Sequence, residues 1–334
     1  DRFGNLLLER RGSRSKRPII FTAHMDHPAF VVTEQMEDRR VRAEFRGGVF
    51  DAYFVGSKVR LHPREGLASV GVIKKLEPAR SDRGDRSVVV VFRSRVNAAP
   101  GDIMTWHIGS ARIQGDQLRA PACDDLAGVA AALAAFDVLG PSSRRLGLDV
   151  RVLLTRAEEI GFVGAIAMCK TQFVPRASRL ITLEMSKSFP RHSPIGGGPI
   201  VRVGDRMSSF DPDLTYRICR IAERIEQNDD AFTWQRKLMP GGTCEASAYQ
   251  AYGYAATCLC LALGNYHNMT GSSRGGRIAR ETISLDDYYG LIRLLAAVGK
   301  TLDDPHQSPS LRQRLEGIYA ERRHVLASSE GREM

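Results

Sequence analysis

Pro18-Ile-Ile-Phe-Thr-Ala23 leads straight into His24-Met-Asp26. A short continuous run of apolar and β-branched residues reads as a strand covered on both faces, the kind that builds parallel sheets. Three further stretches share this grain: Asp149 to Thr155 (DVRVLLT), Arg179 to Leu183 (RLITL) and Ala255 to Leu263 (AATCLCLAL). Helical patterns lie between and after them, at Leu126 to Leu139, Phe162 to Lys170, Leu214 to Ile225 and Glu245 to Tyr252. A last long helix fits Leu285 to Leu302, with Ser284 as its N-cap ahead of Asp286 and Asp287. Strands alternating with helices predict an α/β fold whose mostly parallel sheet is flanked by helices.

The segment from about Val32 to Asp116 breaks this rhythm. Strand-like runs recur at Val41 to Phe45, Lys58 to His62, Val70 to Lys74, Ser87 to Phe92 and Ile103 to His107, separated by Gly, Pro and charged turns. Residues 33–116 are therefore expected to form a small inserted β domain, with 1–32 and 117–334 making the catalytic domain. The tail from Asp303 is highly charged, with one helical stretch near Leu311 to Leu326.

In a chain of 334 residues, 43% hydrophobic and 26% charged residues match a globular protein and exclude a disordered or fibrous one. No apolar run approaches the roughly 20 residues of a membrane span. Asp1 to Leu8 lack a basic region followed by an apolar stretch, so no secretory signal is read there. The chain opens on Asp rather than Met, which leaves room for an N-terminal piece. The six cysteines form no Cys-x-x-Cys pair and are too sparse for a disulfide framework, so a reducing, cytoplasmic setting is expected. The net charge of +10 is spread over Arg10-Arg11, Arg14 to Arg17, Arg39-Arg40, Arg80 to Arg86 and Arg322-Arg323. No nucleic-acid-binding motif accompanies these residues, and they read as a solvated basic surface.

The chemistry gathers where the predicted strands end, the place where open α/β sheets bind ligands. His24-Met25-Asp26 follows the first strand. A lone histidine there is most often structural, but a His-x-Asp can give a metal an imidazole while the aspartate orients the ring. Asp124-Asp125 opens the first long helix. One cap needs one aspartate, and two adjacent carboxylates raise each other's cost of ionisation unless a cation is near. Glu158-Glu159 follows the second strand. Two-metal hydrolysis needs one carboxylate on a metal and another free to accept a proton, and an adjacent pair can divide those roles. Glu184 ends the third strand, where an unpaired carboxylate is costly to bury. His267 follows the fourth. The set His, Asp, Glu, Glu, His is thus delivered to one edge of the sheet.

With these motifs the chain resembles the co-catalytic zinc aminopeptidases that include the tetrahedral, deblocking and glutamyl aminopeptidases. The similarity runs from Asp1-Arg-Phe-Gly-Asn5 to about Thr301, through Ala23-His-Met-Asp26, Pro100-Gly-Asp102, Asp124-Asp-x-x-Gly128, Glu158-Glu159 and Gly241-Gly-Thr243. It implies a zinc-peptidase fold interrupted by a small β-barrel that contributes to self-association, so His62 and His107 should be surface or packing residues. It implies that Asp124 bridges two divalent ions, with the peptide bond to Asp125 often cis. His24 and Glu184 would hold one ion, and Glu159 and His267 the other. Glu158 would be the general base, with Asp26 and Asp125 behind the ligands. Several residues depart from the family pattern. His27-Pro28 replaces a glutamate, Glu184 replaces an aspartate, Cys244 replaces an aspartate, the Tyr266-His267 spacing is shortened, and a leading helical segment is absent.

The leading expectation is therefore a dinuclear-metal aminopeptidase acting on peptides, with zinc, or else cobalt or manganese, at the site, and assembled as a homo-oligomer. The alternatives are a metal-dependent carboxypeptidase or N-acyl amino acid deacylase using the same site, a degenerate binding scaffold, and, most distant, a nucleic-acid binder. The five ligand candidates are expected to converge around two points about 3.5–4 Å apart.

Overall fold

In the computed structural model, which describes residues 1–10, 17–77 and 86–327, the strands Val150–Thr155, Ile19–His24, Arg179–Lys187 and Ala255–Leu263 lie side by side and parallel. Leu6–Leu8 pairs antiparallel with Val150–Thr155 at one edge. Ile200–Asp205 pairs antiparallel with Ala255–Leu263, and Gln235–Met239 completes the seven-stranded order. The fold is α/β with a mostly parallel sheet flanked by helices, as its apolar runs predict.

Alternate side chains of the central strands enter separate cores. Phe21, Ile181, Leu183, Leu259 and Leu261 pack with the helices Leu126–Leu146, Pro212–Asn228 and Leu285–Thr301. Ile20, Leu180, Cys258 and Cys260 pack on the other face with Val163–Thr171 and Glu245–Ala251. This period of two, with both faces covered, is why the strands read as unbroken apolar runs. The helices Leu126–Leu146 and Leu285–Thr301 approach closely, since a Cβ on Gly299 would lie 2.5 Å from Leu139 Cδ1. Ser284 caps the later helix, its Oγ accepting the Asp287 N–H at 3.1 Å.

The inserted segment forms a closed antiparallel barrel of Ala29–Glu37, Arg40–Arg46, Lys58–His62, Ser69–Glu77, Arg86–Phe92 and Ile103–Trp106. Its core is aromatic. The Phe30 ring centroid lies 4.8 Å from those of both Phe45 and Trp106. The barrel begins only a few residues after His24, so chain entry ties it to the site. Arg112–Gln114 and Gln117–Ala120 form a three-stranded sheet with Glu281–Ser284.

Some elements differ from the sequence reading. The third strand continues past Leu183 because it stays paired with its neighbour through Lys187↔Leu263, so Glu184 lies within it. The first helix runs on to Leu146 through Pro141, and the tail helix is divided into Leu311–Arg322 and His324–Ala327. All six cysteines are buried and unpaired. No helix among the described residues is long and apolar enough to cross a membrane. Of the basic residues noted above, Arg11, Arg14, Lys16, Arg80 and Arg83 lie outside the described residues.

Phe30 is fully buried at the centre of the barrel. Phe30→Ala is therefore expected to cost about 3–5 kcal/mol. Chemical denaturation followed by tryptophan fluorescence checks this, because Trp106 packs on the same ring. A loss below about 1 kcal/mol would show that the ring carries no core packing.

Candidate metal centre

His24 closes the strand Ile19–His24 with its ring buried. Its Nδ1 donates to the Asp26 carbonyl at 3.0 Å. That leaves Nε2 facing three acids: Asp124 Oδ1 at 3.4 Å, Glu184 Oε1 at 3.7 Å and Glu158 Oε2 at 4.0 Å. His267 is oriented the same way from the other side. Its Nδ1 donates to the Gly48 carbonyl of the barrel at 2.7 Å. Its Nε2 lies 3.6 Å from Asp124 Oδ2 and 3.5 Å from Glu159 Oε2. Asp124 therefore splits its two oxygens between the two imidazoles.

Two triads result, His24–Asp124–Glu184 and Asp124–Glu159–His267, each with its donor atoms within 4.8 Å of one another. All five residues named as ligands from the sequence are brought together. Glu158 belongs to neither triad and stands beside the first. The residues present fit a pair of divalent ions on several counts. Both rings turn Nε2 inward, and Asp124 Oδ1 and Glu159 Oε1 are buried without a hydrogen-bond partner. A divalent ion satisfied by nitrogen and carboxylate oxygen suits this donor set.

Sharp turns hold these groups. Ala157, just before Glu158, has φ 60°, and Asn265, His267 and Asn268 have φ 56°, 51° and 65°. Non-glycine residues in the left-handed region cost about 1–3 kcal/mol each where they are strained, and such strain clusters at functional sites. The Asp26 carboxylate accepts the N–H groups of both Glu158 and Glu159 at 3.1 Å. It lies 3.8 Å from His24 Nδ1, so the direct bond to that ring comes from the Asp26 carbonyl. The peptide bond joining Asp124 and Asp125 is cis. Asp125 is fully buried over the start of the first helix, where a Cβ on Gly128 would lie 2.2 Å from its Oδ1.

Other participants lie outside the set named from the sequence as ligands, base or supports. Glu281 Oε2 accepts the N–H groups of Cys123 and Asp124 at 2.7 and 3.0 Å, fixing the shared aspartate from behind. His27 spans the Asp124 carbonyl at 2.5 Å and Asn268 Oδ1 at 3.0 Å. Tyr266 stacks on His267 with ring centroids 3.9 Å apart, which gives the adjacent Tyr-His pair a structural use. His62 and His107 lie in the barrel region and are exposed. His62 contacts Thr105 Oγ1, and His107 accepts a hydrogen bond from Arg60. Asp102 serves the barrel instead, accepting the Ala99 N–H at 2.9 Å. A mostly apolar cavity of about 900 Å3 opens beside Glu184, lined among others by Met185, Phe189, Met239, Thr243 and Tyr266.

Burial dominates the electrostatics. It is the main cause, helped by the charge of Glu184, that pushes Asp124 up to about 7. Burial also raises Glu158 and Glu159 well above the ordinary carboxylate value. For His24, burial alone would lower the pKa, but Asp124 and Glu184 reverse this and hold the ring protonated well above its usual value. Burial would raise Glu184 too, yet the facing His24 ring and the charge of Arg202 bring it below the usual value. Burial depresses His267 to about 4. A cation between the imidazoles would replace the proton on His24 and relieve the acids together.

A profile of the family described as M42 glutamyl aminopeptidase matches residues 4–273. A curated protein of Acetivibrio thermocellus, named "Putative aminopeptidase", is 26% identical over 235 residues, which is 67% of this chain and 68% of its own. Among solved structures, an aminopeptidase from the archaeon Desulfurococcus kamchatkensis aligns with a TM-score of 0.71 at 23% identity, covering 90% of this chain and 84% of that one. The Pyrococcus horikoshii TET1 peptidase, described as able to assemble into a tetrahedron or a large octahedral shell, gives 0.69 at 22% identity over 90% and 88%. These structural likenesses are likenesses of fold.

The raised acids set a pH dependence for the metal-free protein. A carboxyl group whose folded pKa exceeds its unfolded one loses its stabilising contribution as pH rises through the folded value. Asp124 and Glu245 do so near 7 and Glu281 near 8, and the raised His24 acts in the same direction. The opposite contributions from His267 and Glu184 are complete above about 6.5. Cys260, brought down to about 7 by Cys258 and Arg202, offsets part of the loss above that pH. Metal-free protein should therefore melt progressively lower from about pH 6.5 to 8.5, by about 2 °C per kcal/mol lost. Stoichiometric zinc should remove most of that slope. Scanning calorimetry with and without zinc measures it, and a flat metal-free profile would contradict the assignment of buried excess acid.

Proposed function

This chain belongs to the M42 glutamyl aminopeptidase family and is a peptidase, and from that premise we propose that it releases N-terminal residues from peptides at a dinuclear metal centre with Glu158 as general base. The observation that carries the proposal is the pair of triads sharing Asp124, with Glu158 adjacent but outside both. His24, Asp124 and Glu184 would hold one divalent ion, and Asp124, Glu159 and His267 the other. Zinc is the first choice, with cobalt or manganese compatible with the same donors. Bound there, such ions supply Lewis-acid polarisation of a carbonyl and a nucleophile from water at neutral pH.

The protein's own groups perform the remaining steps. Asp26 and the turn at Ala157 place the Glu158 carboxylate beside His24 Nε2. Glu158 is 8% exposed, so few competing waters reach it. There Glu158 takes a proton from the attacking water and returns it to the leaving amine nitrogen. The apolar cavity beside Glu184 gives a side chain of the substrate somewhere to bury. Asp125 and Glu281 position Asp124 through its backbone and the following helix.

The buried free thiols accord with a cytoplasmic setting, and the assemblies named for TET relatives accord with a homo-oligomer. Removal of an acyl group or a C-terminal residue at the same site is the nearest competing reading, since the family resemblance implies an aspartate as the usual residue where Glu184 stands. The two are distinguished by whether turnover of matched substrates requires a free α-amine. Activity on N-acetylated and not on free aminoacyl substrates would favour the deacylase.

The adjacent glutamates are expected to behave differently. Glu159→Ala should lose metal and activity together. Glu158→Gln should keep two metals per chain and near-normal KM while kcat falls by roughly 10²–10⁴. Elemental analysis paired with steady-state kinetics makes the comparison, and a metal-loaded Glu158→Gln protein turning over within a few-fold of wild type removes Glu158 as the base.

A further inference from the structure

The catalytic cluster is acidic, yet the chain carries a formal charge of +10. Part of that excess converges on a second cleft, of about 650 Å3, bounded by the three-stranded sheet, the start of residues 107–109 and the loop of residues 270–280. His107, Arg112, Arg119, Arg277 and Arg280 line it, and no carboxylate does. Arginines elsewhere commonly meet acids. Arg42 contacts Glu34 and Glu77, and Arg151 contacts Asp149 and Glu9. Among the described residues the cleft arginines have no such partner. Arg119 donates to Gln117 Oε1 at 2.7 Å, and Arg280 Nε donates to the carbonyls of Gly109 and Ser110 at 3.0 and 2.7 Å. Arg60 adds charge behind them, its Nη2 lying 3.4 Å from His107 Nδ1.

The backbone register points to the same conclusion independently. Arg119 lies directly opposite Arg112 on one neighbouring strand and Thr282 on the other. Directly opposed residues of antiparallel strands share a face, with Cβ atoms about 4.5–5.5 Å apart, and like charges so placed are destabilising. The sheet thus presents two arginines and a threonine in one row, with no acid among the residues lining the cleft. A forked guanidinium binds phosphate oxygens in pairs, and several around one cleft match a multiply charged oxyanion. The volume lies within the range of small-molecule sites, about 300–1,000 Å3.

We infer that this cleft binds a small phosphate-bearing anion. Its volume, about 650 Å3, fits inorganic phosphate or a nucleotide-sized ligand rather than the extended backbone of a nucleic acid. The cleft also adjoins the centre, because Asn265 lines it and donates to the Arg280 carbonyl at 2.8 Å, two residues from His267.

Titration calorimetry of the metal-loaded full chain with inorganic phosphate tests the inference. One saturable site per chain is expected. It should weaken about tenfold or more in the Arg112→Ala/Arg119→Ala double variant, the loss expected from removing charged hydrogen bonds. Arg277→Ala, an exposed position outside the sheet register, should weaken it as well and guards against a folding defect in the double variant. Absence of phosphate binding would overturn the inference. So would binding unchanged in both variants, which places the anion at the metal centre. Binding only of a short DNA duplex, titrated alongside, would overturn it too and make the patch a nucleic-acid surface.

Discussion

Negative charge out of water is the constraint around which this molecule is arranged. The carboxyl groups of Asp124, Asp125, Glu158, Glu159, Glu184, Glu245 and Glu281 crowd around two imidazoles, and burial pushes all of them up, with only Glu184 brought back down by His24 and Arg202. An unpaired buried carboxylate is expensive, and several within reach of one another are more so unless protons or a cation neutralise them. The two inward-facing Nε2 atoms and the divided oxygens of Asp124 define where such a cation gains most. Protons occupy part of that role in the metal-free protein, as on His24.

Every structural layer contributes to holding this charge in place. The parallel strands end at one edge, so chain segments distant in sequence deliver their acids and imidazoles to the same spot. Glu281 and Asp26 each use a carboxylate to bind a pair of backbone N–H groups, fixing Asp124 and the Glu158-Glu159 turn respectively. The barrel takes part directly, since its Gly48 carbonyl sets the tautomer and direction of His267. An insertion that looks dispensable to the sheet is thus part of the ligand scaffold.

The sequence makes the parts with strong local causes legible. Apolar runs such as Ala255–Leu263 emerge because both faces of those strands are buried, and the site residues emerge because they follow such runs. Strands without that pattern do not. Ile200–Asp205 carries the buried Arg202, and Gln235–Met239 begins with polar residues at the sheet edge. Glu184 reads as a strand end because an acid normally stops a buried strand, whereas here pairing continues to Lys187. Glu281 and Asn268 stay hidden for a different reason. Glu281 binds Cys123 and Asp124, and Asn268 binds Pro121, each more than a hundred residues away, and nothing local distinguishes the two from ordinary surface residues.

Anomalous diffraction at the zinc edge from crystals of the metal-loaded protein tests the central claim most directly. The account predicts two peaks about 3.5–4 Å apart, both touching Asp124. One should be completed by His24 and Glu184 and the other by Glu159 and His267, with Glu158 near but bound to neither. A single peak, or two peaks that do not share Asp124, would contradict it.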